Sequence, residues 1–408
     1  MAEAEILKAE LAEFVCGAND VIELKLVRDV NDIFDDTKIF RPEFTHQLFG
    51  QNENIFGYKE LKIQLYFSAG SLNPYLAKTS SAEVDGKKYD GVKPDDVLKT
   101  IVDQLEIQPM SSLDHFIAKL PEESSFQPSG ELLDSYSLDG ADGSSTHFEI
   151  YKCDIREQKF KDYHSKMQTF LWWYIDAASY IDVDDDRWTY YTIMEKYSQN
   201  GNKQYAFVGY ATLYRYYAYP DKIRPRISQF LILPPFQRRG HGCRFLRSIY
   251  SDVQKDSQVL DITVEDPSEE FVRLRDFVDC QDCGRLEAYT KDKLKGSFSQ
   301  DMEKEAQSKY KINKKQARRV FEILKWMNVN QGDEEEVRSY RLEVKQRLNV
   351  PFQKQKSDYE KLKKVLKPEE LTATMEGTSL EERQKTLESW YQELSSEYSK
   401  VVEKLQNS

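Results

Sequence analysis

The chain reads as an α/β (α+β) protein in which a mixed-sheet core stands between an amino-terminal α/β domain and a carboxy-terminal helical region. Three observations carry this expectation. Helical and β-branched segments alternate between 160 and 279. An apolar strand, a two-proline break, a Gly-containing turn and a helix follow one another over 226–251. Beyond Leu294 the pattern is helical. With 408 residues, 39% of them apolar and 31% charged, the chain can bury a core of two or three domains.

Taken in order, 21–27 and 61–68 alternate apolar and polar residues and predict half-buried strands. Residues 94–106 read as a short helix. Ser/Gly/Pro-rich stretches at Ser124–Gly130 and Gly140–Ser145 place a domain boundary near 134. A helical pattern over 160–182 ends in the acidic run 182–186. Strands at 188–197 and 204–214 flank Asn200-Gly201, a hairpin signal. The strand 226–233 leads into a helix at 243–251, the apolar strand 259–264 follows, and a helix is expected over 268–279. Ile312–Val329 carries a helical stripe, and Leu387, Tyr391, Leu394, Tyr398, Val401 and Leu405 form a short heptad seam, which fits a local helix pair or a partner-docking helix. Breaks are expected at Asp333–Glu336 and Lys367-Pro368. The expected domains are 1–133, 134–294, 295–329 and 330–408.

No run of 18 apolar residues occurs, and the start Met1-Ala2-Glu3-Ala4-Glu5 lacks the basic and apolar regions of a signal peptide, so no membrane is expected. Five scattered cysteines (16, 153, 243, 280 and 283) fit free thiols in a reducing compartment. Residues 1–300 carry 36 Lys+Arg against 50 Asp+Glu, whereas 301–408 carry 22 against 20. An acidic front repels nucleic acid, so no direct DNA contact is expected, and it attracts basic peptides; acidity also serves solubility.

The segment after strand 226–233 reads Gln237-Arg238-Arg239-Gly240-His241-Gly242-Cys243. A turn here can point successive N–H groups into one hollow, and the following helix adds the positive end of its dipole, which suits a pyrophosphate. Gly-Lys-Ser/Thr is absent, as is a three-glycine dinucleotide fingerprint. Gln-x-x-Gly-x-Gly after an apolar strand resembles the acetyl-CoA motif of the GNAT superfamily of N-acetyltransferases. In that superfamily the cofactor lies where the fourth and fifth strands splay apart.

Further segments narrow the likeness: His46-Gln47-Leu48-Phe49-Gly50, Phe56-Gly57-Tyr58-Lys59, Phe170-Leu171-Trp172-Trp173, Ile181-Asp182-Val183-Asp184-Asp185, Tyr219-Pro220-Asp221-Lys222 and 261–268. Together they resemble the type B histone acetyltransferase catalytic subunits over about 20–329. The resemblance implies acetyl transfer from acetyl-CoA to lysines in the amino-terminal tail of new, free H-four histone, a tail-binding role for the front domain, a WD-repeat histone-chaperone partner, and residence in nucleus and cytoplasm. The basic run 311–319 reads as a nuclear signal or as the polar face of its helix. The rivals are a small-amine N-acetyltransferase of polyamine type and a non-catalytic histone-binding assembly subunit.

Only a neutral amine attacks a thioester, and lysine has a reference pKa of about 10.4, so a base must take its proton. The resemblance points to Glu265, at the end of strand 259–264; an exposed first-turn acid is the alternative. Asp266 also reads as the cap of Asp266-Pro267-Ser268-Glu269. Asp176 matches a helix position where the family often has Glu. For the cofactor the resemblance carries over Phe230, Leu231 and Ile232 on the strand, Gln237, Arg238, Arg239, Gly240, His241, Gly242 and Cys243 in the turn, and Ser268 and Phe277 beyond it. A backbone N–H of 229–233 would stabilise the oxyanion. For the histone tail it carries over Gln51, Asn52 and Glu53, then Trp188, Tyr214, Arg215 and Tyr216; Tyr214 and Tyr216 also fit core positions of a strand. Acetyl transfer needs no metal, and the lone pair Cys280/Cys283 lacks further ligands of zinc spacing, so no metal is expected.

Overall fold

The computed structural model describes residues 9–89, 91–140, 143, 145–199, 201–362 and 380–407. The chain forms two compact units. The first takes the chain up to Tyr217 together with Pro225–Val253; the second takes Ala218–Arg224 and the chain from Gln254 onward.

The first unit opens on a three-stranded sheet of β1 (Ile22–Val27), β2 (Lys62–Ser68) and β3 (Pro74–Thr79), with β1 parallel to β2 and β2 antiparallel to β3. The alternating sequence predicts a half-buried β1, but every residue of β1 is buried. Phe40 closes its outer edge by exchanging backbone bonds of 2.9 and 3.0 Å with Leu24. Lys25 is tolerated inside because its ammonium donates to the carbonyls of Ile33 (2.7 Å) and Asp32 (3.2 Å), late in the short helix Val30–Phe34, where the dipole is negative. Helix α1 (Val97–Leu105) buries Val97, Ile101 and Leu105 at a spacing of four. Helix α2 (Leu113–Lys119) adds Phe116 to a core with Val27, Ile33, Tyr66 and Tyr75.

The second sheet of this unit holds β4 (Glu131–Asp139), β5 (Ser145–Cys153), β6 (Trp188–Gln199), β7 (Asn202–Ala218) and β8 (Lys222–Ile232), neighbours in chain order. Residues 204–213 of β7 are buried without a break. At the β6–β7 hairpin Gly201 takes φ 79°, which the Asn-Gly signal calls for; Asn200 lies outside the described residues, as do 141, 142 and 144 of the Gly140–Ser145 loop.

Between β5 and β6, the helix expected over 160–182 is shorter. Helix α3 (Gln158–Met167) passes through a 3-10 turn into α4 (Leu171–Tyr174), which stops. The carbonyl of Trp173, which a continuing helix would bond to residue 177, instead accepts from the N–H groups of Glu43 (2.9 Å) and Phe44 (3.1 Å). The two sheets are tied together: Arg28 grips Glu195 at 2.6 and 3.0 Å, and the N–H of Phe207 reaches the carbonyl of Ala69 at 2.7 Å. Residues on both sides of the boundary expected near 134 therefore share one compact unit. Helix α5 (His241–Gln254) buries Phe245, Leu246, Ile249, Tyr250 and Val253.

In the second unit the strand expected over 259–264 is regular only at β9 (Thr263–Val264). Before it, Val259 makes a single bridge to Ile223, and Asp261 turns its carboxylate to Arg224 at 2.5 and 2.9 Å. Helices α6 (Glu269–Cys283), α7 (Gln300–Tyr310), α8 (Lys314–Asn328), α9 (Glu334–Leu348), α10 (Val350–Leu362) and α11 (Leu380–Gln406) follow. Helix α11 lies against α6, α8 and α9, and its seam buries Tyr391, Tyr398 and Val401. The seam thus closes a bundle within this chain. At its centre Glu322, 2% exposed, accepts a two-pronged bond from Arg347 (2.5 and 2.7 Å) and the hydroxyl of Tyr398 (2.9 Å). Asp333 caps α9; Lys367-Pro368 lies outside the described residues. In the basic run, Gln316 is buried against Asp276 at 3.0 Å and Arg319 pairs with Asp276 at 2.7 Å, so the run helps pack α8.

Candidate active site

The cradle belongs to the first unit. At its entry β7 carries a bulge: Ile193 of β6 stands opposite Gly209 and Met194 opposite Phe207, leaving Val208 as the extra residue. The carbonyl of Val208 accepts the N–H of Leu233 at 2.9 Å. Only glycine fits at 209, because a Cβ there would stand 2.1 Å from the carbonyl oxygen of Leu231. On β8, Leu231 is buried, Phe230 and Ile232 are half-buried, and the Phe230 ring lies 5.2 Å from that of Phe245.

After β8 a 3-10 turn, Pro234–Phe236, reverses the chain, and the Gln237 side chain donates back to the carbonyl of Ile232 at 2.9 Å. Arg238 (φ 63°) and Gly240 (φ 86°) then take left-handed backbone. Alternation of left- and right-handed residues turns N–H groups into one concavity. The first N–H groups of α5, at His241 and Gly242, have no acceptor within the helix by construction. The resulting array suits a pyrophosphate. Arg238 and Arg239 are exposed beside it, and Cys243 is partly buried.

His241 turns its ring inward. Nδ1 is 2.6 Å from the hydroxyl of Tyr136, and the ring lies 4.3 Å from that of Phe148. Burial, with Arg239 and Arg244 close by, brings its pKa down to about 4, so the imidazole is neutral at pH 7. Its backbone N–H stays at the cradle while its side chain anchors the helix to β4.

The acidic candidates fall on different elements. Glu265, in the second unit, is exposed one residue past β9. Asp266 is exposed at φ 28° and is not the helix cap. The cap is Ser268, whose hydroxyl accepts the N–H of Phe271 at 3.2 Å, and α6 begins at Glu269. This corrects the expected frame, because Pro267 precedes the cap rather than following it. Phe277 is buried in the same unit, with the ammonium of Lys404 4.4 Å from its ring centroid, a structural position rather than a surface one. Asp176, in the first unit, lies exposed on the turn after α4 and not in a helix, 3.3 Å from Nε2 of His46.

Among the tail candidates, Gln51 and Asn52 are exposed, but the carboxylate of Glu53 is committed to its own loop. It accepts from the N–H groups of Thr45 (2.6 Å) and His46 (3.1 Å) and from the Asn19 amide (2.8 Å), which hold its pKa below the ordinary range. Glu53 therefore shapes the loop rather than offering a ready partner for a lysine.

Trp188, Tyr214 and Tyr216 form a row on one face. Trp188 stands opposite Tyr214 in the β6–β7 register with ring centroids 4.8 Å apart, and Tyr216 follows two residues on at 4.6 Å. Tyr214 is half-buried and Tyr216 40% exposed, so neither is a core residue. Arg215 is exposed. Three residues of this row escape sequence reasoning: Arg187 over Tyr214 (4.8 Å), Arg226 over Tyr216 (4.7 Å), and Asp185, which binds both Arg187 and Tyr214. The only signal was Asp185-x-Arg187 at the end of the acidic run 182–186.

Cys280 and Cys283 are buried on α6, and burial raises both thiols well above their ordinary pKa. Among the described residues, no helix is long and apolar enough to cross a membrane.

A bulged antiparallel sheet that delivers its last strand into a glycine turn at a helix start is the arrangement expected of an N-acetyltransferase core. Comparison with known proteins narrows the class. The family model of the histone acetyl transferase HAT1 N-terminus matches residues 14–176, and that of the histone acetyltransferase type B catalytic subunit, C-terminal, matches 275–326. The chain is 45% identical over 400 residues to the histone acetyltransferase type B catalytic subunit of Homo sapiens, spanning 98% of this chain and 95% of that one. It is 44% identical to that of Rattus norvegicus over the same length, and 32% identical to that of Mycosarcoma maydis over 376 residues, 83% of this chain and 81% of that one. The chain belongs to the family of histone acetyltransferase type B catalytic subunits, and it is an enzyme.

Proposed function

We propose that the chain transfers acetyl from acetyl-CoA to the ε-amino group of lysines in the amino-terminal tail of free H-four histone, by direct attack in a ternary complex. The observation that carries this reading is near full-length similarity to the family in a chain whose cradle is built of left-handed backbone and a helix start. The N–H groups of Gly240 to Cys243 would hold the pyrophosphate, and β8 would pair with the pantetheine arm. Bound acetyl-CoA supplies the thioester carbonyl. An N–H of 229–233 would stabilise the developing oxyanion. The tail would run over Gln51 and Asn52 and along Trp188, Tyr214 and Tyr216, whose rings would wall the path of a lysine side chain.

Glu265 is the proposed base: it is exposed to solvent, to which it can pass the proton, and it stands at the strand end where the family places its acid. Asp176 and Asp266 are the second choices. The domain limits 1–133, 134–294, 295–329 and 330–408, a WD-repeat histone-chaperone partner, and residence in nucleus and cytoplasm belong to the same proposal.

The test is mass-spectrometric mapping of acetyl groups after incubation with acetyl-CoA, free core histones and polyamines, for wild type and Glu265→Gln. Wild type is expected to acetylate the H-four tail, and Glu265→Gln to lose about 10²–10⁴ in kcat while still binding acetyl-CoA. Acetyl on polyamines alone would overturn the substrate, and undiminished turnover by Glu265→Gln would move the base to another acid.

A further inference from the structure

One member of the acidic run 182–186, Asp185, is tied to the aromatic row by four hydrogen bonds. Oδ1 of Asp185 accepts from the backbone N–H and the Nε of Arg187, at 3.0 and 2.9 Å; Oδ2 accepts from Nη2 of Arg187 at 2.7 Å and from the hydroxyl of Tyr214 at 3.0 Å. The Asp185 side chain is 19% exposed against 60% for Arg187, so the pair lies at the surface with the carboxylate sheltered. The guanidinium is laid over the Tyr214 ring, and that ring meets Trp188 edge-on at 70°.

Two physical consequences follow. A ring tied at its hydroxyl, covered by a guanidinium and met edge-on by Trp188 has little rotamer freedom left to lose when a peptide settles beside it. Arg187 is a cation on a wall proposed to receive a lysine-rich tail, and without a counter-charge it would repel that tail. Asp185 removes both penalties with one carboxylate.

We infer that Asp185 is a positioning and specificity-determining residue for the basic peptide substrate, acting through Tyr214 and Arg187: it fixes the tyrosine wall and cancels the arginine charge that the tail would otherwise meet. The inference rests on the reading that the tail runs along Trp188 and Tyr214. Asp185 touches no reacting atom, so its effect belongs in the KM for the peptide.

The test is steady-state kinetics of the full chain with an H-four tail peptide and acetyl-CoA, for Asp185→Asn, Arg187→Gln, the double variant, Tyr214→Phe and Trp188→Ala, each checked for an unchanged melting temperature. Asp185→Asn is expected to raise the peptide KM about fivefold, the worth of one exposed charge pair, leaving kcat and the KM for acetyl-CoA in place. Adding Arg187→Gln is expected to recover the part of that loss that comes from the uncancelled arginine charge, which a merely structural role would not do. Should Asp185→Asn fold poorly, Tyr214→Phe keeps the ring and deletes only the hydroxyl bond, and is expected to raise the peptide KM alone. If Trp188→Ala raises the peptide KM while Asp185→Asn and Tyr214→Phe do not, the inference is overturned and the tail path stands. If none of them moves it, the tail lies elsewhere and both are overturned.

Discussion

At the scale of single residues the cradle depends on Gly240. Its φ of 86° is a conformation that a side chain enters only at a cost of about 1 kcal/mol. A Cβ there would meet nothing within 4 Å, so the penalty is one of backbone conformation and not of crowding. Gly240→Ala is expected to fold with a melting temperature within a few degrees of wild type and to raise the KM for acetyl-CoA about fivefold, read by steady-state kinetics at saturating histone. This glycine was legible in the sequence because its reason is local: a left-handed residue directly before a helix start. Asp185 and Glu53 were not, because what makes each matter is a partner brought close by the fold, Tyr214 for one and Asn19 for the other. The cap of α6 was misplaced for a third reason. Asp266-Pro267-Ser268-Glu269 offers two caps two residues apart, and the backbone chose Ser268.

At the scale of elements, the late helices were legible because apolar spacing alone defines them, as in α8 with Val320, Phe321, Ile323 and Leu324 buried. Those whose ends are set by distant hydrogen bonds were not. The helix expected to reach 182 stops at Tyr174 because Glu43 and Phe44, over a hundred residues earlier, take the carbonyl of Trp173. Helix α6 carries a feature no periodicity reveals: Asp279 is fully buried, and its ion-pair partner Arg275 approaches only to 3.4 Å. Burial raises its pKa to about 7, with Arg275 and Gln316 opposing and Asp276 and Asp282 adding to the rise. A folded pKa above the unfolded one means that the folded chain keeps a proton the unfolded chain gives up. Stability is therefore lost as pH climbs from about 4 to about 7 and is level beyond. Asp279→Asn removes that titration, so it is expected to stabilise the protein by about 2–4 kcal/mol at pH 8 and hardly at all at pH 4, measured by denaturant unfolding at both.

At the scale of the whole molecule, the acidic front, net −14 over residues 1–300, was plain in composition, but its meaning was not, since acidity serves solubility as readily as substrate capture. The site proposed above lets the two be separated, because its substrates have opposite charge. A lysine-rich tail is drawn to an acidic surface and acetyl-CoA is repelled by it, and both effects are screened as the Debye length falls from about 10 Å at 0.1 M salt to about 3 Å at 1 M. Raising salt over that range is expected to raise the KM for the tail peptide severalfold, while the KM for acetyl-CoA stays level or falls. If acidity were only for solubility, the tail KM would not respond. A rise in both constants would signal general weakening of the fold rather than lost steering, and the melting temperature at each salt concentration distinguishes that outcome from the expected one.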